Sequence, residues 1–247
     1  MAVLGAPMEA PRPVTMIATL LSDQWRLLTF RNPGPAIRDH WRSYLGFGLV
    51  CTWLAGIGRY WDNPKAHLWQ HLGLGSIVYV FILALLLYWL LKPLRPRNWS
   101  YRNVLLFTTL TAMPALLYAI PVERFMTLPA AQSTNAWFLG VVATWRVTLL
   151  FIFLRRVAGL GGLAVFVAVL LPIVLIVVAL TLLNLEHVMF NIMAGIHEQE
   201  RGGNDMAYQV VFSITVYSAL AAPVLLIAYA WLVIKARNSS RERDDYQ

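Results

Sequence analysis

The chain contains few of the residues that disulfide bonding or acid–base chemistry requires. Its single cysteine, Cys51, excludes an internal disulfide, and a C-x-x-C pair is absent. Only 12 of the 247 residues are acidic, against 20 Lys and Arg. The sequence also lacks G-x-S-x-G, H-E-x-x-H, the P-loop and G-x-G-x-x-G. These absences argue against the hydrolases, zinc proteases and nucleotide-binding proteins that such motifs mark, and no cofactor is predicted.

Long apolar stretches, in contrast, fill the chain. Apolar residues make up 59% of it and charged residues 13%, whereas a soluble domain is about half apolar and a quarter charged. Six stretches can each cross a hydrocarbon core of about 30 Å as a helix, namely 44–61, 72–91, 104–121, 136–154, 160–183 and 209–234. The sequence therefore predicts an all-α polytopic integral membrane protein with six transmembrane helices. Its parts are an N-terminal segment (1–43), a transmembrane domain (44–234) and a basic and acidic tail (235–247).

The basic residues predict the orientation of this domain. Fifteen of the 20 Lys and Arg lie in four segments, which are 1–43, 92–103, 155–159 and 235–247. Because Lys and Arg of short loops stay on the cytoplasmic side, both termini are predicted to be cytoplasmic, most simply in a bacterial inner membrane. This topology explains the basic residues at the helix ends, so no nucleic-acid partner is predicted. The first 15 residues contain no continuous apolar run, and no cleavable signal peptide is expected.

Two further segments have helical periodicity but are too polar to cross a membrane. In 14–30, apolar residues form one stripe, while Asp23, Gln24 and Arg26 interrupt the segment. In 185–200, apolar residues recur at helical spacing and acidic residues collect at the end. Both patterns are typical of amphipathic helices that lie on a membrane surface.

Arg146 is the most unusual residue of the predicted spans. It lies nine residues from both Trp137 and Arg155, close to mid-membrane, where a charge costs about 2.5–3.5 kcal/mol. No acidic residue lies in any of the six stretches. Arg146 is therefore expected to bond to hydroxyls such as those of Thr108 and Thr111, to carbonyls, to water or to a bound anion. An anion or lipid-headgroup site and purely structural hydrogen bonding both remain open.

Prolines and histidines add two weaker signals. Pro114, together with Pro172 and Pro223, lies inside a predicted span, where each proline frees a carbonyl and shapes helix packing. His67 and His71 stand four residues apart and face one side of a helix. Two imidazoles without a third ligand are weak evidence for a metal, and no metal site is predicted.

The order of features between Trp41 and Arg156 resembles a known family. A basic helical N-terminal segment precedes the first span, and a short basic loop leads into YRNVLLFTTLTAMPALLYAI with Pro114 in the middle of the span. This layout, over about half of the chain, resembles the Yip1 superfamily of small polytopic membrane proteins. The resemblance implies a non-enzymatic role in organising membranes or assembling other membrane proteins, and implies no catalytic residue.

Three functions are compatible with these observations. The first is a non-enzymatic membrane scaffold or accessory subunit that meets anionic lipids and either another membrane protein or further copies of itself. The second is a transporter or channel for a small anion or lipid-like substrate that uses Arg146. The third is a membrane enzyme for a lipid-linked substrate at the external face, with the candidate residues Asp62, His67, His71, Glu186 and His187.

Overall fold

The computed structural model describes residues 13–60, 67–183 and 205–244, and all regular structure within these ranges is helical. The nine α-helices there are α1 Pro13–Leu28, α2 Ala36–Asp39, α3 Trp41–Gly58, α4 Leu68–His71, α5 Leu74–Leu91, α6 Tyr101–Leu110, α7 Leu128–Arg156, α8 Gly162–Leu182 and α9 Asp205–Asp244. The all-α prediction is thus confirmed for these residues. The amphipathic helix predicted at 185–200 lies outside them.

Four helices in the described ranges are long and apolar enough to cross a membrane. They are Leu74–Leu94, Ser133–Arg156, Gly162–Leu182 and Phe212–Asn238. These helices match the second, fourth, fifth and sixth predicted spans. Their length and composition indicate an integral membrane protein.

The first predicted span corresponds to α3, which is shorter and less apolar than these four helices. It has 18 residues, among them Arg42 and four glycines. The glycines bring neighbouring backbones close. A Cβ atom built on Gly48 would lie 2.7 Å from Oγ1 of Thr109, and one built on Gly58 would lie 2.5 Å from Cβ of Ala119. The helix α3 therefore packs directly against α6 and the segment that follows it.

The third predicted span is not one continuous helix, contrary to the expectation for 104–121. The helix α6 ends at Leu110, and a 3₁₀ helix follows at Met113–Ala119. Pro114 has no N–H to donate to the Leu110 carbonyl, so the α-helical pattern stops there. That carbonyl instead accepts a 2.7 Å hydrogen bond from Nε2 of Gln24 in α1. A side chain 86 residues away thus replaces the missing backbone donor.

The helix α1 confirms the helical prediction for 14–30 but buries two of its polar residues. Asp23 and Gln24 are each 4% exposed. The Asp23 carboxylate accepts a hydrogen bond from the Tyr44 hydroxyl at 2.5 Å and another from the Gly34 N–H at 2.7 Å. Buried polar groups are tolerated where such partners satisfy them. The residues that marked the segment as polar therefore attach it to the bundle.

The opposite face of α1 is apolar and exposed. It carries Ile17, Leu21 and Trp25 at spacings of four residues. At the end of α1, the Trp145 indole N–H donates to the Leu28 carbonyl at 2.9 Å. The helix is therefore fixed to α7 while its exposed face is suited to contact with lipid.

The central core lies among α5, α6, the end of α7 and α8. Its fully buried members include Ala84, Leu91, Leu154 and Val165. The helix α9 packs on α8 through Leu225. This core holds the start of α6 against the end of α7, and both contribute to the site described next.

Candidate functional site

A cavity of about 750 Å³ opens where α1, α2, the start of α6 and the end of α7 meet. Pockets that bind small molecules have volumes of about 300–1,000 Å³. Its walls come from the segment 27–41, from 98–110 and from 149–157. Two hydrogen bonds tie these segments together, from the Arg97 N–H to the Ala158 carbonyl (2.8 Å) and from the Arg156 guanidinium to the Phe30 carbonyl (2.7 Å). Three of the four basic segments of the chain thus meet at one end of the bundle.

Four arginines line this cavity, and we call it the arginine cavity. They are Arg31, Arg38, Arg102 and Arg156, and all four are exposed. The guanidinium of Arg102 lies over the ring of Trp41, 5.4 Å from its centroid. Within the described ranges, no protein acceptor is bonded to the guanidinium of Arg31, Arg38 or Arg102. Their donors are therefore available to a ligand.

The inner wall of the arginine cavity is apolar. It includes Leu106 and Leu110 on α6, Leu149 on α7, and the rings of Phe107 and Phe153. These two rings are stacked with their centroids 4.3 Å apart. At 1.5 Å per residue, Leu110 lies about 12 Å along the helix from Arg102. The cavity is thus basic at its mouth and apolar in depth.

The charge of the cavity is strongly positive. No acidic residue is among the described residues that line it. The Asp23 carboxylate lies behind Gly34, and its oxygens are occupied by the Gly34 N–H and the Tyr44 hydroxyl. Arginine remains charged at any physiological pH and binds phosphate through two parallel N–H donors. The cavity is therefore suited to a molecule with a phosphate head and an apolar tail.

Arg146 lies on the face of α7 that is turned toward the bundle. It is half-buried, between the buried residues Val142 and Leu149 of the same face. Thr108 and Thr111 are buried, and their hydroxyls donate to the carbonyls of Val104 and Phe107 in their own helix. No hydrogen bond joins Arg146 to either threonine in the described structure. The anion or lipid-headgroup site predicted for these three residues therefore stays a prediction.

The histidines are placed near the start of α5. His67 is the N-cap residue of the short helix α4, and its backbone N–H donates to Oε1 of Gln70 at 2.8 Å. His71 ends the same helix. Among the residues that the structure describes, no three His, Cys, Asp or Glu side chains form a group able to hold a metal. Asp62, Glu186 and His187 lie outside those residues.

No family model, curated protein or solved structure matches this chain. The arginine cavity itself was not predicted from the sequence. Each of its arginines, taken alone, is typical of a topology signal at a helix end. Their common site depends on the contact of segments that are far apart in the chain, and no local pattern of the sequence shows this contact.

Proposed function

We propose that the chain is a non-enzymatic integral membrane accessory protein that binds an anionic phospholipid of the cytoplasmic leaflet. The observation that carries the proposal is the arginine cavity, with four cationic side chains at the mouth, an apolar interior and, among the described residues, no acid in its lining. Anionic lipids are concentrated in the cytoplasmic leaflet and are attracted to such basic sites. A phosphate would accept hydrogen bonds from the arginines while an acyl chain lies against Phe107 and Leu149.

The lining favours binding over catalysis. Arginine cannot act as a general acid or base because it does not release its proton in proteins. The asparagines of the lining, Asn32, Asn98 and Asn103, are likewise not titratable. Binding of lipid by a protein with a basic cytoplasmic face agrees with the role of scaffold or accessory subunit, in which a second membrane protein or further copies of the chain would be the partner.

The proposed topology has six crossings with both termini in the cytoplasm. The two crossings beyond the four long helices would be α3 and the pair formed by α6 and the 3₁₀ helix Met113–Ala119. Three basic segments meet at the arginine cavity, which supports their location on the same side of the membrane. By the distribution of Lys and Arg, that side would be the cytoplasm of a bacterium with the protein in its inner membrane.

Reporter fusions test this topology crossing by crossing. Alkaline phosphatase needs an oxidising compartment to fold, because it depends on disulfides. Truncated chains fused after Tyr60 and after Phe125 are expected to give active phosphatase, and chains fused after Arg97 and after Gln247 are expected to give none. An inactive fusion at Tyr60 would show that α3 does not cross. Active phosphatase after Gln247 would contradict the cytoplasmic C-terminus.

Removal of one arginine tests lipid binding. We expect Arg102→Gln to weaken binding of phosphatidylglycerol about tenfold or more, because a hydrogen bond to a charged group contributes about 1.5–3 kcal/mol. The measurement is the rise in thermal unfolding temperature when the full chain is moved from phosphatidylcholine nanodiscs to nanodiscs that contain phosphatidylglycerol. Native mass spectrometry of the same samples counts the lipids retained.

Arg42→Gln is the matched control for this experiment. The guanidinium of Arg42 also lies over the Trp41 ring, 5.5 Å from its centroid, but Arg42 does not line the cavity. The control variant should keep the full response to phosphatidylglycerol. An equal loss in both variants would show that only the total charge matters. An unchanged response in Arg102→Gln would refute a lipid site in the arginine cavity.

A further inference from the structure

A second cluster of cationic side chains lies where the end of α3 meets the 3₁₀ helix Met113–Ala119. The close approach of Gly58 and Ala119 sets the position of the next residues of both segments. As a result, the Arg59 guanidinium lies over the Tyr118 ring, 5.3 Å from its centroid. Arg59 and Tyr118 are both partly buried. We call Arg59, Tyr118 and Arg146 the arginine–tyrosine cluster.

Arg146 approaches the same tyrosine from α7. The helix α7 packs against the 3₁₀ helix that carries Tyr118, and the charges of Arg59 and Arg146 both act on the Tyr118 hydroxyl. Three separate parts of the chain, α3, the 3₁₀ helix and α7, thus contribute polar groups to this region. Such convergence of polar groups is typical of a binding site.

The donors of this cluster are not committed to protein acceptors. Among the residues that the structure describes, Nη2 of Arg59 is buried and has no hydrogen-bond partner. Among the described residues, Arg146 likewise donates no hydrogen bond. A guanidinium has five N–H donors and stays charged. A buried donor without an acceptor costs about 1–3 kcal/mol, and two cations near one hydroxyl repel each other, so an anion between them would stabilise the arrangement.

We infer that Arg59, Tyr118 and Arg146 form a second anion site that takes a phosphate group. The two guanidinium groups would each donate to phosphate oxygens, and the Tyr118 hydroxyl would add a third donor. The phosphate would belong either to a lipid headgroup or to a small soluble molecule. The site shares no residue with the arginine cavity, so it does not depend on the proposed function.

Thermal unfolding of the full chain separates these two sources of phosphate. In one arm, inorganic phosphate is titrated into protein held in phosphatidylcholine nanodiscs. In the other arm, phosphatidylglycerol is added to the nanodiscs without soluble phosphate. The protein carries Arg102→Gln in both arms, so that the arginine cavity contributes little to the response. We expect the unfolding temperature to rise in at least one arm. Arg59→Gln and Arg146→Gln should each weaken the apparent affinity in that arm about tenfold or more.

Variants elsewhere and milder substitutions make the result interpretable. Arg102→Gln, which alters only the arginine cavity, should leave the response of this second site in place. Arg59→Lys and Arg146→Lys keep the charge but lose the planar fork, so they should fold as the parent does and bind several-fold more weakly. These variants replace the glutamine variants if those do not fold.

Each outcome decides the inference. A response to inorganic phosphate that both arginine variants lose assigns the site to a soluble anion. A response to phosphatidylglycerol alone, lost in the same variants, assigns it to a lipid headgroup. The inference is refuted if neither arm gives a response, or if the response persists in the Arg59 and Arg146 variants. In that case Arg59 serves only to stack on Tyr118, and Tyr118→Leu should lower the unfolding temperature without any effect of the anions.

Discussion

Asp23→Ala is expected to destabilise the folded protein by about 2–6 kcal/mol, because it leaves two donors without an acceptor at about 1–3 kcal/mol each. These donors are the Tyr44 hydroxyl and the Gly34 N–H, which now share the buried carboxylate. The measurement is thermal unfolding in detergent, followed by a thiol-reactive fluorophore. Cys51 is the only cysteine and is buried, so its labelling reports opening of α3.

Two variants serve as controls for the Asp23 prediction. Asp39 is exposed, and Asp39→Ala should change stability by less than about 0.5 kcal/mol. Asp23→Asn retains an oxygen acceptor for the Gly34 N–H and places a donor beside the Tyr44 hydroxyl oxygen, so its cost should be smaller than that of Asp23→Ala. Equal unfolding temperatures for Asp23→Ala and Asp39→Ala would contradict the proposed attachment of α1.

Gly48→Ala and Gly46→Ala are expected to change stability in opposite directions. A Cβ at position 48 would lie 2.8 Å from the Thr109 Cβ and 3.1 Å from the Thr109 carbonyl carbon, whereas nothing lies within 4 Å of one at position 46. The overlap at Gly48 should cost about 1–3 kcal/mol. Gly46→Ala should gain up to about 1 kcal/mol, because alanine favours a helix over glycine.

The rigidity of Thr109 explains why the overlap at Gly48 cannot be relieved cheaply. The Thr109 hydroxyl donates to the carbonyls of Leu105 and Leu106 in its own helix, and the residue is fully buried. Labelling of Cys51, one turn of α3 from Gly48, measures both variants under the same conditions. If Gly48→Ala unfolds at the temperature of the parent, α3 and α6 are not in the close contact described above.

The sequence predicts those parts of the fold that depend on local composition. Four of the six apolar stretches correspond to long apolar helices in the structure, and the periodic segment 14–30 corresponds to the helix Pro13–Leu28. The sequence does not predict the break after Leu110, because a proline inside an apolar stretch, such as Pro114, can kink a helix without ending it. Its effect depends on Gln24, a distant residue that satisfies the freed carbonyl. A contact between two residues so far apart in the chain cannot be predicted from local sequence patterns.

The candidate sites were predictable only in part for a similar reason. Arg146 stands out in the sequence because it is a charge within an apolar stretch. Arg59 does not, because a cation at the end of a span is common at membrane borders. The sequence could not show that Arg59 stacks on Tyr118, or that Arg31 and Arg156 line one cavity. In both cases, the candidate site depends on which helix ends meet.

The hydrogen bond from Gln24 to Leu110 also imposes an order on biosynthesis. The donor is translated 86 residues before its acceptor, which at about 5–20 residues per second is a delay of about 4–17 s. During that delay, the Gln24 amide has no α6 carbonyl to bind. The helix α1 therefore reaches its final contacts only after α6 has been synthesised.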